Sequence, residues 1–261
     1  MWLRISALVM RHLYLYRRSP TRIMGVIFWP VMSLLVWGFM TTYLQRVALP
    51  KTVIFLLGAI ILWDVFFRSQ QAISFSISEE IWVKNIINLF VSPLRIHELV
   101  LATCLVGMIR ALITTSLLSG LAYLLYAFNI LSVGPALLPF FLNLLIFGWA
   151  LGLITMSLVL RYGNASQALI WGVPFLIQPL SAVFYPVDVL PVWLRYISMA
   201  LPSTHVFEGL RAALSTGKVN LPALWASMSL NLIYLALGAL IFSWMLGKVR
   251  EKGFLTRTNM E

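Results

Sequence analysis

A run of apolar side chains without a single charge extends from Ile23 to Leu44. A helix needs about 20 such residues to cross the hydrocarbon core of a bilayer. Similar runs fill most of the chain, so that 61% of its 261 residues are apolar and only 10% are charged. Soluble domains are about half apolar and about a quarter charged. Because a soluble globule of this size could not bury so much apolar surface, the sequence predicts an all-α membrane protein that crosses the bilayer several times.

Six apolar segments are long enough to form transmembrane helices. The fifth contains Pro174 and Pro179, which predict a kink in that helix. The loops are too short to fold alone, so we expect a single membrane domain over residues 1–261. The predicted spans are 23–44, 52–74, 99–128, 133–160, 165–185 and 221–246.

Residues 1–22 carry arginines at regular intervals. Arg4, Arg11 and Arg18 are spaced seven apart, which places them on nearly one face of a helix. This pattern predicts an amphipathic helix in the membrane interface, with its arginines toward lipid phosphates. A disordered basic tail is the alternative. No cleavable signal peptide is expected, because the arginines interrupt every apolar run in this segment.

The 19 Lys and Arg residues are unevenly distributed among the loops. If the N-terminus is cytoplasmic, most of them lie in cytoplasmic loops, as the positive-inside rule requires. Six spans then place both termini in the cytoplasm. This topology accounts for the net charge of +11, so we expect contact with membrane lipids and no nucleic-acid partner.

Three charged residues fall inside predicted spans, namely Asp64, Arg68 and Arg110. Counting along the helices places Asp64 and Arg110 near the bilayer centre, with Arg68 one turn from Asp64. Unpaired charges are costly at this depth, so Asp64 is expected to pair with Arg68 along one helix or with Arg110 across two. These residues either line a passage for a polar or anionic group or form a structural ion pair.

The stretch between the second and third spans is unusually polar. The pattern predicts a cytoplasmic amphipathic helix over residues 76–93, which Pro93 ends. Glu80, Lys84 and Asn88 form one polar line on it, and Glu80 and Lys84 can pair. This helix either rests on the membrane surface or serves as a docking element through which a partner moves the two adjoining spans.

The segment 186–218, between the fifth and sixth spans, is amphipathic and too polar to cross the membrane. It predicts two short outer helices at about 192–200 and 203–214, the second beginning with a serine N-cap. Glu208 and Arg211 lie three apart on the second helix and can pair.

Motifs for catalysis and nucleotide binding are missing. Cys104 is the only cysteine, and the three histidines lie in separate loops, so no metal site is expected. The stretch STGKV at residues 215–219 lacks the spacing and the terminal Ser or Thr of a phosphate loop. We therefore expect no enzyme activity and no cofactor in this chain, and if ATP drives it, a separate chain must hydrolyse the ATP.

Two sequence segments and the N-terminal amphipathic helix resemble a known family. LFVSPLRIHELVL, at residues 89–101, is similar to a helix that ends in a Ser/Thr-Pro turn before a Glu-led span. FYPVDVLPVWLRYISMALPSTHVFEGLRAAL, at residues 184–214, is similar to an outer segment with a Y-P, L-P-x-W-L, L-P-x-T-H and E-x-L-R pattern. Together they resemble the permease subunits of type-two ABC exporters, which include daunorubicin-resistance, nodulation-factor and polysaccharide-export permeases.

The resemblance implies a permease dimer, expected to be a homodimer, in the bacterial cytoplasmic membrane. Two separate ATPase chains would bind ATP and Mg²⁺ and grip the cytoplasmic helix as a coupling helix. Many relatives carry a glycine in that helix, which this chain lacks. The implied ATPase contacts are Glu79, Glu80, Lys84, Asn85, Asn88 and Pro93. The implied outer gate consists of Tyr185, Pro186, Pro202, His205, Glu208 and Arg211.

These observations predict the membrane subunit of an ATP-driven exporter that moves an amphiphilic, lipid-like, glycan or drug-like substrate outward. The excess of arginine over aspartate within the spans suggests an anionic head group. The alternative is an ion-coupled secondary transporter that uses Asp64 as its proton or cation site, although inverted-repeat halves are not evident. An intramembrane enzyme is disfavoured by the missing motifs.

Overall fold

The computed structural model describes residues 1–46, 50–83, 85 and 95–251, and this part of the chain consists of α-helices and short 3₁₀ turns with no strand. The all-α prediction is thereby confirmed. The helices are α1 (Trp2–Arg18), α2 (Pro20–Arg46), α3 (Pro50–Trp82), α4 (Ile96–Tyr126), α5 (Leu137–Tyr162), α6 (Ala168–Leu180), α7 (Val192–Met199), α8 (Pro202–Thr216) and α9 (Leu221–Glu251).

Four helical stretches of the described chain are long and apolar enough to cross a membrane. They are α2, α4, α5 together with the preceding 3₁₀ turn, and α9. The charged helix α3 has 33 residues, and at about 1.5 Å per residue it is about 50 Å long. The chain is therefore a multi-pass membrane protein.

The centre of the fold is the contact between α3 and α5, and α5 also packs extensively against α9. Phe66 of α3 and Phe147 of α5 are fully buried there and stack with 5.2 Å between ring centroids. A Cβ atom built on Gly148 would lie only 2.7 Å from the carbonyl oxygen of Phe66. Gly148 and Gly152, one turn apart, thus allow the two backbones to approach closely, as small residues do in membrane helix pairs.

The fifth predicted span, 165–185, is longer than the helix that forms. Helix α6 has 13 residues, about 20 Å, whereas the hydrocarbon core is about 30 Å thick. After Leu180 the chain turns, with Ala182 in the left-handed region. The Arg211 guanidinium, from α8, donates to the carbonyl oxygens of Ala182 and Tyr185. The helix can end early because a distant side chain satisfies these carbonyl groups, which local sequence does not reveal.

Helix α1 runs beside the first half of α4 in the same direction. Arg4 pairs with Glu98, and the Arg110 guanidinium lies over the Tyr16 ring. Twelve positions separate Arg4 from Tyr16, and twelve also separate Glu98 from Arg110. Of the predicted helix over 1–22, Trp2–Arg18 forms as α1, while residues 20–22 belong to α2. The arginines of α1 do not all face lipid phosphates, because Arg4 and Arg11 contact carboxylates of the chain itself.

The predicted cytoplasmic helix at 76–93 does not begin as a separate element. Residues 76–82 are the last turns of α3, and Val83 follows in a turn. Of the remaining residues of that prediction, only Asn85 lies within the described part. The prediction was wrong at its start because polar residues at the end of a long helix were interpreted as a new amphipathic helix.

The two short helices predicted within residues 186–218 form as α7 and α8, while their position on the outer side stays a prediction. The predicted serine N-cap is wrong: α8 begins one residue earlier, at Pro202, and has no side-chain cap. The hydroxyl groups of Ser203 and Ser181 instead share a hydrogen bond of 2.6 Å. This bond ties the start of α8 to the end of α6.

Candidate functional site

A cavity of about 180 Å³ lies between α2, α3 and α6, partway along these helices. Asp64 and Arg68 of α3 are at its wall, and both are buried. Leu118 of α4 contributes from the other side. Most of the remaining wall is aromatic, formed by Trp29, Trp63, Phe67, Trp171, Phe175 and Phe184.

Asp64 and Arg68 form an ion pair along α3. Arg68 Nε donates to Asp64 Oδ1 at 3.2 Å, and Arg68 Nη1 donates to the side chain of Gln71 at 3.5 Å. The Phe67 ring centroid lies 5.6 Å from the guanidinium carbon. Of the two pairings that the sequence left open, the structure contains the one within a single helix. A proton or cation that binds Asp64 would have to compete with Arg68 for the same carboxylate.

Arg110 lies apart from the aromatic cavity. It lines a separate small void with His12 and Tyr16 of α1, and its guanidinium carbon is 4.5 Å from the Tyr16 ring centroid. The aromatic cavity therefore holds one acid and one base, not the excess of arginine that the sequence suggested. The reason is that long side chains lean toward the N-terminus of their helix, which carries Arg110 away from the depth of its Cα atom.

The cavity is suited to an amphiphile. Aromatic side chains offer large apolar faces, and the single ion pair can orient a polar group. These aromatic residues were not predicted from the sequence, since Trp and Phe are common in apolar spans. A signal does exist: Trp63 and Phe67 are four apart, as are Trp171 and Phe175, so each pair lies on one face of its helix.

The C-terminal end of α3 is tied to the N-terminal helices. Arg11 of α1 lies 2.6 Å from Glu80, and Arg22 of α2 lies 3.3 Å from Glu79. Glu80 also accepts a hydrogen bond of 2.7 Å from Asn85. Glu80 was predicted to contact the ATPase, but it is only 4% exposed. It serves instead as an internal joint between α1 and α3. Three predicted contacts lie outside the described residues, namely Lys84, Asn88 and Pro93.

His12 lies buried at this joint. Burial, together with Arg11 and Arg110, lowers the pKa of His12 to about 4, while Glu80 opposes the shift. The imidazole is therefore neutral at pH 7. When α1 detaches, His12 regains an ordinary pKa of about 6.5, so protons favour the detached state below that pH.

We expect acidification to loosen α1. The docking free energy should stay constant above about pH 6.5 and fall by about 2 kcal/mol at pH 5. A spin label on Leu3→Cys can report the mobility of α1, since Leu3 is exposed and Cys104 is buried. Mobility should increase between pH 7 and pH 5, and a His12→Gln variant should remove most of the increase. An unchanged increase in that variant would contradict the assignment.

The segment 186–218 is organised around Arg211. Its Nη1 atom donates to Glu208 at 2.7 Å, which confirms the predicted pair, and Nη2 donates to the carbonyl oxygens of Ala182 and Tyr185 at 2.5 and 2.6 Å. Glu208 also accepts a hydrogen bond from the backbone of Val187 at 2.8 Å. The guanidinium carbon lies 4.2 Å from the ring centroid of Phe55 in α3. Arg211 thus connects α8, the turn after α6 and the beginning of α3.

The other predicted gate residues surround this connection. The Tyr185 hydroxyl donates to the Pro179 carbonyl at 2.6 Å. Pro186 precedes the 3₁₀ turn Val187–Val189, and Pro202 is the first residue of α8. His205 bonds the backbone carbonyl of Met199 and does not meet Glu208. The structure therefore brings all six residues into one folded cap, in which His205 contacts α7 and not Glu208.

The fold and the cavity define a multi-pass helical membrane protein with an amphiphilic site between its helices. A family model described as ABC-2 type transporter matches residues 4–215, which include nearly all of α1, all of α2 to α7 and nearly all of α8. The chain belongs to this family and is an ABC transporter permease. No curated protein matched the chain in a sequence search.

Membership of this family sets the role of the chain. Its members form the membrane component of transport and are not themselves catalytic, and they work in general with an ABC ATPase. The aromatic cavity lies within the matched residues, as does the joint between α1 and α3.

Proposed function

We propose that this chain is the permease of an ATP-driven exporter that moves an amphiphilic molecule outward, energised by a separate ATPase. The candidate cargoes are lipid-like, glycan-bearing or drug-like amphiphiles. The aromatic cavity supports this proposal, because its apolar walls and single ion pair match a molecule with an apolar body and a polar group.

The observation that carries the proposal is the continuity of α3. This helix runs without interruption from Asp64 in the cavity to Trp82, eighteen residues or about 27 Å farther along. A force applied near Trp82 would move the cavity wall as part of one rigid rod. Closure of the ATPase could therefore shift the helices between two packed arrangements.

The proposed topology has six spans formed by α2, α3, α4, α5, α6 and α9. The short α6 would cross together with the cap made by the following turn, α7 and α8, and this cap would act as the outer gate. Both termini would be cytoplasmic, in the bacterial cytoplasmic membrane. Two copies of the chain would pair as a homodimer above two ATPase chains that bind ATP and Mg²⁺.

Reconstitution with the cognate ATPase tests this function. In proteoliposomes, the complex is expected to move a fluorescent short-chain phospholipid to the outer leaflet only when ATP is present. Transport that proceeds without ATP or follows a pH gradient would contradict ATP-driven export, and the pH-gradient result would favour the ion-coupled alternative at Asp64.

The coupling position is tested by reversing charge beyond the end of α3. Lys84→Glu combined with Asn88→Asp should weaken co-purification of the ATPase by about tenfold, because these positions form the predicted polar face. Glu80 is unsuitable for this test, since its loss would also release Arg11. Lys218→Glu, on the proposed outer side, is the matched control and should leave co-purification unchanged. If the ATPase co-purifies equally with both variants, the docking surface must lie elsewhere on the chain.

A further inference from the structure

The ion pair in the aromatic cavity leaves part of each charged group unused. Asp64 Oδ1 accepts one hydrogen bond, from Arg68, although a carboxylate oxygen can accept two, while Oδ2 is enclosed by protein atoms. Arg68 uses Nε and Nη1, and Nη2 makes no hydrogen bond within the described residues. Buried charged groups are stabilised when their remaining donors and acceptors are satisfied. The pair therefore offers one free acceptor and one free donor position to a ligand.

The cavity is electrically neutral as a whole. Among the described residues at its wall, Asp64 and Arg68 are the only charged ones. A ligand with a single positive or negative charge would leave one net charge within the membrane, which is unfavourable. An uncharged ligand and a ligand with one charge of each sign both keep the sum at zero, but only the second brings an opposite charge to each member of the ion pair.

The aromatic walls add a preference for the positive part of such a ligand. Cations are attracted to the faces of Trp, Tyr and Phe rings, and alkylated ammonium groups are bound in this way by rings from several sides. Trp63 and Phe67 come from α3, while Trp171 and Phe175 come from α6, so rings face the cavity from two helices. The Phe67 ring already lies against the Arg68 guanidinium.

The size of the cavity limits it to a head group. An apolar cavity of about 150 Å³ holds one benzene molecule, and this cavity measures about 180 Å³. The apolar body of a larger amphiphile must extend beyond it. Helix α2 supplies Trp29 and Pro30 to the wall and is mostly exposed, so a tail can lie along this helix.

We propose that the polar group of the transported amphiphile is zwitterionic, with its ammonium part beside Asp64 and its anionic part beside Arg68. This inference rests on the export function proposed above and names its substrate class. It replaces the anionic head group that the sequence suggested, because Arg110 does not reach the cavity.

Binding of three probes with the same dodecyl chain tests the proposal. The probes are dodecylphosphocholine, which is zwitterionic, dodecyltrimethylammonium, which carries one positive charge, and dodecyl methyl phosphate, a phosphodiester that carries one negative charge. The full chain is placed in nanodiscs of uncharged digalactosyl diacylglycerol, so the bilayer supplies no competing zwitterion. Tryptophan emission reports binding, since Trp29, Trp63 and Trp171 line the cavity.

Dodecylphosphocholine should bind about tenfold more tightly than either singly charged probe. Asp64→Asn combined with Arg68→Gln should reduce this preference to less than about twofold, because both ionic partners are removed. Asp188→Asn combined with Arg195→Gln is the matched control, since it neutralises an ion pair away from the cavity, and it should retain the preference.

A singly charged probe that binds as tightly as the zwitterion would overturn the proposal, as would a preference that survives in the neutral variant. If that variant does not fold, the ranking of the three probes on the unaltered chain still decides. Binding needs neither ATP nor ATPase. A wrong ranking with intact ATP-dependent transport therefore rejects the substrate class alone, whereas the expected ranking without such transport rejects the export function alone.

Discussion

Replacement of Gly148 by leucine is expected to prevent accumulation of folded protein. A Cβ atom at this position would lie 1.8 Å from Ser69 Oγ, 2.7 Å from the Phe66 carbonyl oxygen and 3.0 Å from the Gln70 backbone nitrogen. The serine side chain can rotate away, but the two backbone atoms cannot move unless α3 separates from α5. Overpacking usually costs about 1 to 3 kcal/mol, and here the helix contact at the centre of the fold would have to open.

Fluorescence-detected size-exclusion chromatography and thermal unfolding measure this effect. Gly148→Ala should lower the free energy of unfolding by about 2 kcal/mol, and Gly148→Leu should leave little monodisperse protein. Gly120→Leu is the matched control, because an added Cβ atom there meets nothing within 4 Å. Equal yields of Gly148→Leu and Gly120→Leu would contradict the close packing of α3 and α5.

Replacement of Arg211 by methionine is expected to unfold the cap formed by the turn after α6, α7 and α8, while the long helices remain assembled. Methionine keeps much of the side-chain length but removes every donor. Glu208 and the carbonyl groups of Ala182 and Tyr185 then lose their charged partner. Hydrogen bonds to charged groups contribute about 1.5 to 3 kcal/mol each, and because the Arg211 side chain is 18% exposed, we expect a total loss of about 3 kcal/mol.

Limited proteolysis between α6 and α7 should detect the loss as faster cleavage. Arg195→Met provides the control, since Arg195 pairs at 3.5 Å with Asp188, whose side chain is 81% exposed. Exposed pairs of this kind contribute little, so cleavage should stay near that of the unaltered chain. Combining Arg211→Met with Glu208→Gln should recover part of the stability, because the unpaired carboxylate is removed. Cleavage that is equally slow in all three variants would show that Arg211 does not hold the cap.

Local sequence patterns predicted the long helices well, because an apolar run longer than the bilayer thickness has few alternatives to a helix. They also predicted the Glu208–Arg211 pair, since positions three apart meet on any helix. Both are properties of neighbouring residues. For these two features, the structure adds only the exact residues at which each helix begins and ends.

The failures involve contacts between residues far apart in the chain. The early end of α6 depends on Arg211, which is about 30 positions away. The N-terminal arginines were assigned to lipid because nothing in the sequence places Glu80 and Glu98 beside them. The aromatic cavity was missed for a similar reason, since its walls come from three helices that only packing brings together.

The ion pairs have a consequence for the lipid environment of the protein. Six of its eight acidic residues, all but two at its C-terminal end, are each held by a different arginine of the same chain. The surplus of eleven positive charges therefore has no counter-charge within the chain, and lipid phosphates and solvent ions supply it. In a bilayer poor in anionic lipid, these positive charges would repel one another. The charge of the lipid head groups therefore affects the stability of the folded permease.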